Sequence, residues 1–362
     1  MNSKVFTVIA GTGSYIPKNV IKNENFLKNE FYNPDGSKID TPIEEIIKKF
    51  EEITEIKERR YTDNNQTASD IAYYAAVDAL KTSGIDKETL DYIIVAHNFG
   101  DIHNSSMQSD ILPSLASRVK EKLKIINPST VAYDIIFGCP GWLQAVIQAD
   151  YYIKSGDAKR VMVIGADTLS KISDPHDRDS MIYADGAGAT ILEAVKSEEP
   201  VGILSHISRT DTLEHAYNLW LGRSNKPEVK ESELFIKMNG RKLYEYALKT
   251  VPQVVKDSLD KAGVLLNQVK KILIHQANAK MDDAILNRIF RLYKEIKIPK
   301  QIMPMTISSF GNSSVATIPT MLDLILTGRL GEHSLQPGNI AVFASVGSGM
   351  NINTVIYKFH GK

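Results

Sequence analysis

Short, nearly continuous apolar runs alternate along the chain with longer stretches whose apolar residues recur every three or four positions. The runs are VFTVIA (5–10), DYIIVA (91–96), RVMVIGA (160–166), KKILIH (270–275) and NIAVFASV (339–346). The periodic stretches include ASDIAYYAAVDALKTSG (68–84), GWLQAVIQADYYIKSG (141–156) and RKLYEYALKTVPQVVKDSLDKAG (241–263). Strands apolar on both sides, separated by amphipathic helices, predict an α/β protein whose sheets are covered on both faces. Residues 133–137 read as one further buried strand. Residues 22–60, rich in Lys, Glu and Asn, break the rhythm and predict a helical excursion that covers something.

The pattern also repeats. Segments 79–96 and 258–275 share one layout of helix end, glycine, short turn and apolar strand. Gly263 and His275 follow Gly84 and Ala96 by the same number of positions. Gly138-Cys139-Pro140-Gly141 precedes a helix ending at Gly156 and then the strand at 160–166. Gly311-Asn312-Ser313-Ser314 precedes a helix ending at Gly328 and then the strand at 339–346, at nearly the same offset. Two similar α/β halves are therefore expected, 1–196 carrying the cysteine and 197–362 carrying His275 and Asn312. Duplicated halves usually pack about a pseudo-twofold axis, which brings equivalent loops together. Cys139 and Asn312 would then face each other, with His275 at a strand end close by.

Composition narrows the function classes. The 362 residues are 43% hydrophobic and 24% charged, as in soluble globular proteins. Lys plus Arg and Asp plus Glu both total 43, so no global charge points to nucleic acid or membrane. A local basic patch for an acidic carrier remains compatible with that balance. No apolar stretch approaches the ~20 residues that span a bilayer, and the start MNSKVFTVIAG lacks the features of a signal peptide. The single cysteine excludes an intramolecular disulfide and suits a reducing cytoplasm. Gly11-Thr12-Gly13 follows a strand without the third glycine of a dinucleotide fingerprint and reads as a structural turn. Asp174, His176, Asp177 and Asp179 share a Pro-containing loop without ligand spacing, so no metal is expected there.

Chemistry concentrates on three residues. Cys139 sits where a strand turns sharply at Gly138 into a helix, with Pro140 suited to its first position. A helix N-terminus favours thiolate, and the cysteine's own N–H is placed to serve an oxyanion. The competing reading is a buried, inert thiol. His275 is alternatively a satisfied core residue, and Asn312 alternatively a helix cap. Together the trio offers a nucleophile and two neutral donors suited to an enolate formed when a malonyl thioester loses carbon dioxide. The tight loop 345–350, containing Gly347-Ser348-Gly349, can complete an oxyanion hole or be a plain strand-end turn.

In order along nearly the whole chain, these residues resemble the β-ketoacyl-acyl-carrier-protein synthase III family of the thiolase superfamily. The shared motifs are Gly-Thr-Gly-Ser-Tyr-Ile-Pro (11–17), the Cys139 loop, Tyr-Ile-Lys-Ser-Gly (152–156), Ser-Asp-Pro-His-Asp-Arg (173–178), Asp-Gly-Ala-Gly-Ala (185–189), Lys-Met-Asn-Gly-Arg (237–241), His-Gln-Ala-Asn (275–278), Gly-Asn-Ser-Ser (311–314) and Gly-Ser-Gly (347–349). The resemblance implies a thiolase-like five-layered αβαβα fold, a cytoplasmic homodimer, and acyl-CoA and malonyl-acyl carrier protein as substrates without a bound cofactor. It implies Cys139 as acyl acceptor, His275 and Asn312 as the decarboxylation and condensation pair, and the Cys139 and Ser348 amides as oxyanion hole. By the same resemblance Arg178, Gly240, Tyr244 and Asn278 line the coenzyme A entrance. Gln276, Ala277 and Lys280 fall on the carrier-docking segment. Glu44-Glu45-Ile46-Ile47 stands where the family carries an adenine-clamping Trp, and the insertion 97–110 falls where it places substrate-lining residues. Two other readings are a secondary-metabolite synthase with a different acceptor, and a non-catalytic carrier-binding partner. The intact trio weighs against the latter.

Overall fold

A computed structural model of the chain describes residues 4–103, 108–295 and 297–361. Strands β1 (Lys4–Tyr15), β2 (Tyr92–Ala96), β3 (Val131–Ile135), β4 (Arg160–Thr168) and β5 (Asp185–Ser197) form one sheet in the order β1-β5-β4-β2-β3. Strands β6 (Gly202–Thr210), β7 (Val269–Ile274), β8 (Ile340–Gly347) and β9 (Asn351–Lys358) form a second in the order β6-β9-β8-β7. The two sheets follow one plan. β1 and β4 flank β5 antiparallel, as β6 and β8 flank β9; β2 runs parallel to β4, as β7 does to β8. The place of β3 is taken in the second sheet by Ile302, whose carbonyl accepts from Ile272 N at 2.8 Å.

Eight helices accompany the sheets in the described residues: α1 (Ile43–Thr54), α2 (Ala68–Ser83), α3 (Leu115–Lys122), α4 (Gly141–Ser155), α5 (Gly240–Ala262), α6 (Ala279–Leu292), the single turn α7 (Ile307–Phe310) and α8 (Thr317–Leu326). Their apolar faces sort them into layers. Ala68, Ile71, Ala75 and Val119 of α2 and α3 pack on Ile93, Ile164 and Ile191 of the first sheet. Leu143, Ile147, Met321 and Ile325 of α4 and α8 lie between the sheets, against Val163 on one side and Phe343 on the other. Val251, Val255, Ile285 and Ile289 of α5 and α6 close the far side of the second sheet over Ile272 and Val342. Five layers, αβαβα, result. Strands buried on both faces explain the continuous apolar runs.

Three expectations change. Gly11 and Gly13 lie inside β1 rather than in a turn; a Cβ at Gly13 would lie 2.3 Å from Ala79 N, so they let α2 lie against the strand. The strand expected at 133–137 is β3, shifted two residues earlier at the sheet edge and only partly covered; Ile136, beyond its end, is 63% exposed. The excursion 22–60 contains α1 and a small core of its own around Phe26, Phe31 and Phe50. Within the insertion 97–110, positions 104–107 lie outside the described residues.

Candidate active site

Cys139 owes its position to two glycines. After β3 the chain turns at Gly138, where φ is +68°, and Pro140 caps α4 rather than opening it. A Cβ at Gly138 would lie 2.7 Å from Ser348 N, and one at Gly347 would lie 2.5 Å from Cys139 N. The Cys139 turn and the loop after β8 therefore meet backbone to backbone, and a side chain at either glycine would wedge them apart. Neither the Cys139 nor the Ser348 N–H has a backbone carbonyl acceptor among the described residues. Such a pair can hold an oxyanion. At the sulfur, Ser314 Oγ donates to Cys139 Sγ at 3.5 Å. Burial, with the Asp167 carboxylate behind it, pushes the thiol up to about 11, while the Ser314 hydroxyl and the cysteine's own N–H pull it down. The sequence expectation of a helix terminus favouring thiolate is thus outweighed by desolvation.

His275 follows β7 directly, its N–H donating to Ala344 O at 2.9 Å. Its Nδ1 is buried with no partner among the described residues, which leaves Nε2 as the polar atom facing the cavity. Burial pushes the imidazole down to about 4, so it is neutral at neutral pH. Asn312 is strapped by the 182–184 segment: its N–H donates to Ile182 O at 2.9 Å and its carbonyl accepts from Ala184 N at 2.8 Å. Its Oδ1 accepts from Ser314 N at 2.8 Å. Asn312 therefore closes a two-residue turn rather than capping a helix, the cap of the following short turn being Ser313, and among the described residues its Nδ2 has no acceptor. Cys139, His275, Asn312 and Gly347 all line one cavity of about 450 Å³. A thiol, a neutral imidazole and a primary amide around one space can accept an acyl group and then hold a developing enolate with two uncharged donors.

The cavity wall sorts the remaining expected residues. Arg178, Gly240, Tyr244, Ala277 and Asn278 line it, with Arg178 exposed and Tyr244 38% exposed. Asn278 also caps α6 through Met281 N. Gln276 is a correction: it is wholly buried, not on a docking surface. Its Nε2 donates to Pro304 O at 2.7 Å and its Oε1 accepts from Thr306 N and Ile307 N, so it anchors the loop leading to Asn312. Ala277 belongs to the half-buried cavity wall, and Lys280 alone of that trio is exposed. Asp174 and Asp177 bind the buried Lys237 ammonium at 2.6 and 3.1 Å, an ion pair that ties their loop to the 235–238 strand.

Two contributions were missed by the sequence reading. The excursion's α1 forms one wall through Ile46, Lys49, Phe50 and Ile53, a spacing of one helix face that the sequence offers once a helix is assumed there. Arg59, wholly buried, fastens that excursion: it donates to Met181 O, Ile21 O and Asn23 Oδ1, under the ring of Phe26 at 4.9 Å. No local pattern distinguishes it from the exposed charges around it.

Comparison with known proteins places the chain in a family. The family model for 3-oxoacyl-[acyl-carrier-protein (ACP)] synthase III matches residues 133–212, and that for its C-terminal part matches residues 259–359. The β-ketoacyl-[acyl-carrier-protein] synthase III 1 of Vibrio vulnificus is 33% identical over 358 residues, 98% of this chain and 100% of that protein. The chain belongs to the synthase III family. The synthase III of Xanthomonas euvesicatoria is 30% identical, covering 99% of this chain and all of the relative. The crystal structure of the synthase III from Aquifex aeolicus, 31% identical, covers 98% of this chain and 100% of its own with a TM-score of 0.77. The five layers are accordingly the thiolase-like fold, and the synthase III chain described here is an acyl-transferring condensing enzyme. Its Glu44–Ile47 stretch lies in the first turn of α1, and Glu45 and Ile46 line the cavity, so the departure noted in sequence falls on the cavity wall.

Proposed function

We propose that the chain is a β-ketoacyl-acyl-carrier-protein synthase III that starts fatty acid biosynthesis by decarboxylative condensation. The observation that carries this reading is the convergence of Cys139, His275 and Asn312 on one cavity where the Cys139 turn meets the 347–348 backbone. In the first stage Cys139 sulfur attacks the carbonyl carbon of an acyl-CoA. The oxyanion is held by the Cys139 and Ser348 N–H groups until coenzyme A leaves as the thiol, taking the cysteine's proton. In the second stage malonyl-carrier protein enters the cavity and its carboxylate carbon departs as carbon dioxide. The electron pair of that bond becomes an enolate, which accepts from His275 Nε2–H and Asn312 Nδ2–H. Neutral donors suit this task, since each gives a hydrogen bond without forming a salt bridge to the substrate carboxylate. The enolate carbon attacks the acyl carbonyl, the carbon–sulfur bond breaks, and the Cys139 thiolate leaves and takes one proton from solvent to restore the thiol.

In this reading Arg178, Gly240, Tyr244 and Asn278 meet the pantetheine arm, and Lys280 with Arg178 offers positive charge to an acidic carrier protein. The protein works as a cytoplasmic homodimer: β3, which opens with Val131 at 47% exposure and is followed by Ile136 at 63%, is a sheet edge unpaired among the described residues. A second reading, a different acyl acceptor, draws on the apolar face that Ile46, Phe50 and Ile53 of α1 turn to the cavity. Product analysis separates the two. Acyl-CoA with malonyl-carrier protein should yield β-ketoacyl-carrier protein and carbon dioxide; turnover only with a second acyl or β-ketoacyl thioester would replace the first reading by the second.

A further inference from the structure

We propose that Ser314 is a positioning residue of the nucleophile, its hydroxyl turned onto the Cys139 sulfur by a hydrogen-bond chain of fixed polarity that starts at Asp167 and passes through Asn98. The inference rests on the reading of Cys139 as nucleophile and adds what prepares it. Asp167, 1% exposed at the end of β4, accepts from Asn98 N at 2.9 Å and from Asn98 Nδ2 at 2.7 Å. An ionised carboxylate only accepts, so the Asn98 amide must turn its nitrogen this way. The second hydrogen of that nitrogen points to Ser314 Oγ at 3.0 Å. With its oxygen occupied as acceptor, Ser314 keeps its own hydrogen to give, and Cys139 Sγ lies 3.5 Å away. Asp167 is the competing acceptor near the same hydroxyl, but among the described residues the contact in hydrogen-bond geometry is the one to Cys139 Sγ. The sulfur has no other side-chain donor among the described residues. Negative charge growing on it therefore draws the hydroxyl.

Ser314 is held in this pose at a backbone cost. Its φ is +54°, a left-handed conformation uncommon for a residue with a side chain. The same backbone turn directs Ser314 N onto Asn312 Oδ1. One residue thus aligns the nucleophile through its hydroxyl and the Asn312 amide through its N–H. Other titratable groups face this cluster. Tyr183 and His275 lie across the cavity, and His97, whose Nε2 meets Asp134 at 3.0 Å, stands behind Asp167. None of them contacts the sulfur within hydrogen-bond distance.

The test is the pH–rate profile of Cys139 alkylation by iodoacetamide in wild type, Ser314→Ala and Asn98→Asp, each checked for a cooperative melt. Ser314→Ala removes the donor; Asn98→Asp sets a second carboxylate against Asp167 and cannot orient the hydroxyl. Both should alkylate about tenfold more slowly near neutral pH, with the rising limb displaced about one pH unit upward. Unchanged profiles in folded variants would overturn the proposal, and if Ser314→Ala fails to fold the Asn98→Asp profile decides alone. Alkylation needs neither acyl donor nor carrier protein, so this outcome is independent of the acyl-transfer reading. An unchanged profile with acylation intact removes only the Ser314 role.

Discussion

Burial keeps His275 uncharged at neutral pH, while Asn312 spends its amide oxygen on Ser314 and keeps its nitrogen for the cavity. Both donors are thus prepared by their surroundings rather than by a charge partner. The pH consequence follows from the unfolded imidazole at 6.5 against about 4 in the fold. As pH falls the unfolded chain takes up this proton first, so stability drains between about 6.5 and about 4 and is complete above that window. Wild type should therefore lose about 2–3 kcal/mol more than His275→Asn between neutral pH and pH ~4.5, measured by denaturant midpoints. Equal losses would mean that His275 is not held neutral. In catalysis, Asn312→Ala should lower decarboxylation of malonyl-carrier protein by about a hundredfold, the usual cost of one such donor, while acylation of Cys139 persists. Loss of acylation with decarboxylation retained would assign Asn312 to the wrong stage.

Elements hold those residues in register. The Cys139 turn and the β8 loop touch at Gly138 and Gly347, so Gly347→Ala should separate the two amides and slow acylation at least tenfold with little change in the far-ultraviolet spectrum. The 22–60 excursion is fixed differently, by one buried guanidinium. Arg59→Ala leaves Met181 O and Ile21 O without their donor and should cost about 3 kcal/mol, with early proteolytic cleavage inside 22–60. Arg59→Lys should recover only part, since a single ammonium cannot reach all three acceptors. The sheet strands and the long helices were legible because burial on two faces writes continuous apolar runs and helix faces write a period of 3.6. The helical character of the excursion was legible too, but its place as a cavity wall and the buried roles of Arg59 and Gln276 were not. Their partners lie far away in sequence, and a buried polar residue looks like an exposed one until those acceptors are in place. Ser314 was hidden for the same reason: its contacts to Asn98 and Cys139 cross from one sheet's loops to the other's.

Over the whole molecule, the repeated spacing of glycines and strand ends anticipated a real repetition of sheet plan, with strands of matching direction in matching places. That repetition brings the loops after β3 and β8 and the residues beyond β7 and α7 to one cavity. The edge strand β3 belongs to the same scale. If two chains join there, Ile136→Glu should halve the sedimenting mass and leave the monomer's circular dichroism unchanged; an unaltered mass would move the interface elsewhere. The central claim is that Cys139 carries the acyl group between two thioesters. Intact-protein mass spectrometry follows it directly, first with an acyl-CoA and then after malonyl-carrier protein is added. The account predicts one acyl adduct on Cys139, absent in Cys139→Ala, that disappears as β-ketoacyl-carrier protein forms. A wild-type protein that makes this product without ever carrying an adduct, or that remains unmodified with every acyl donor from short to long, would contradict it.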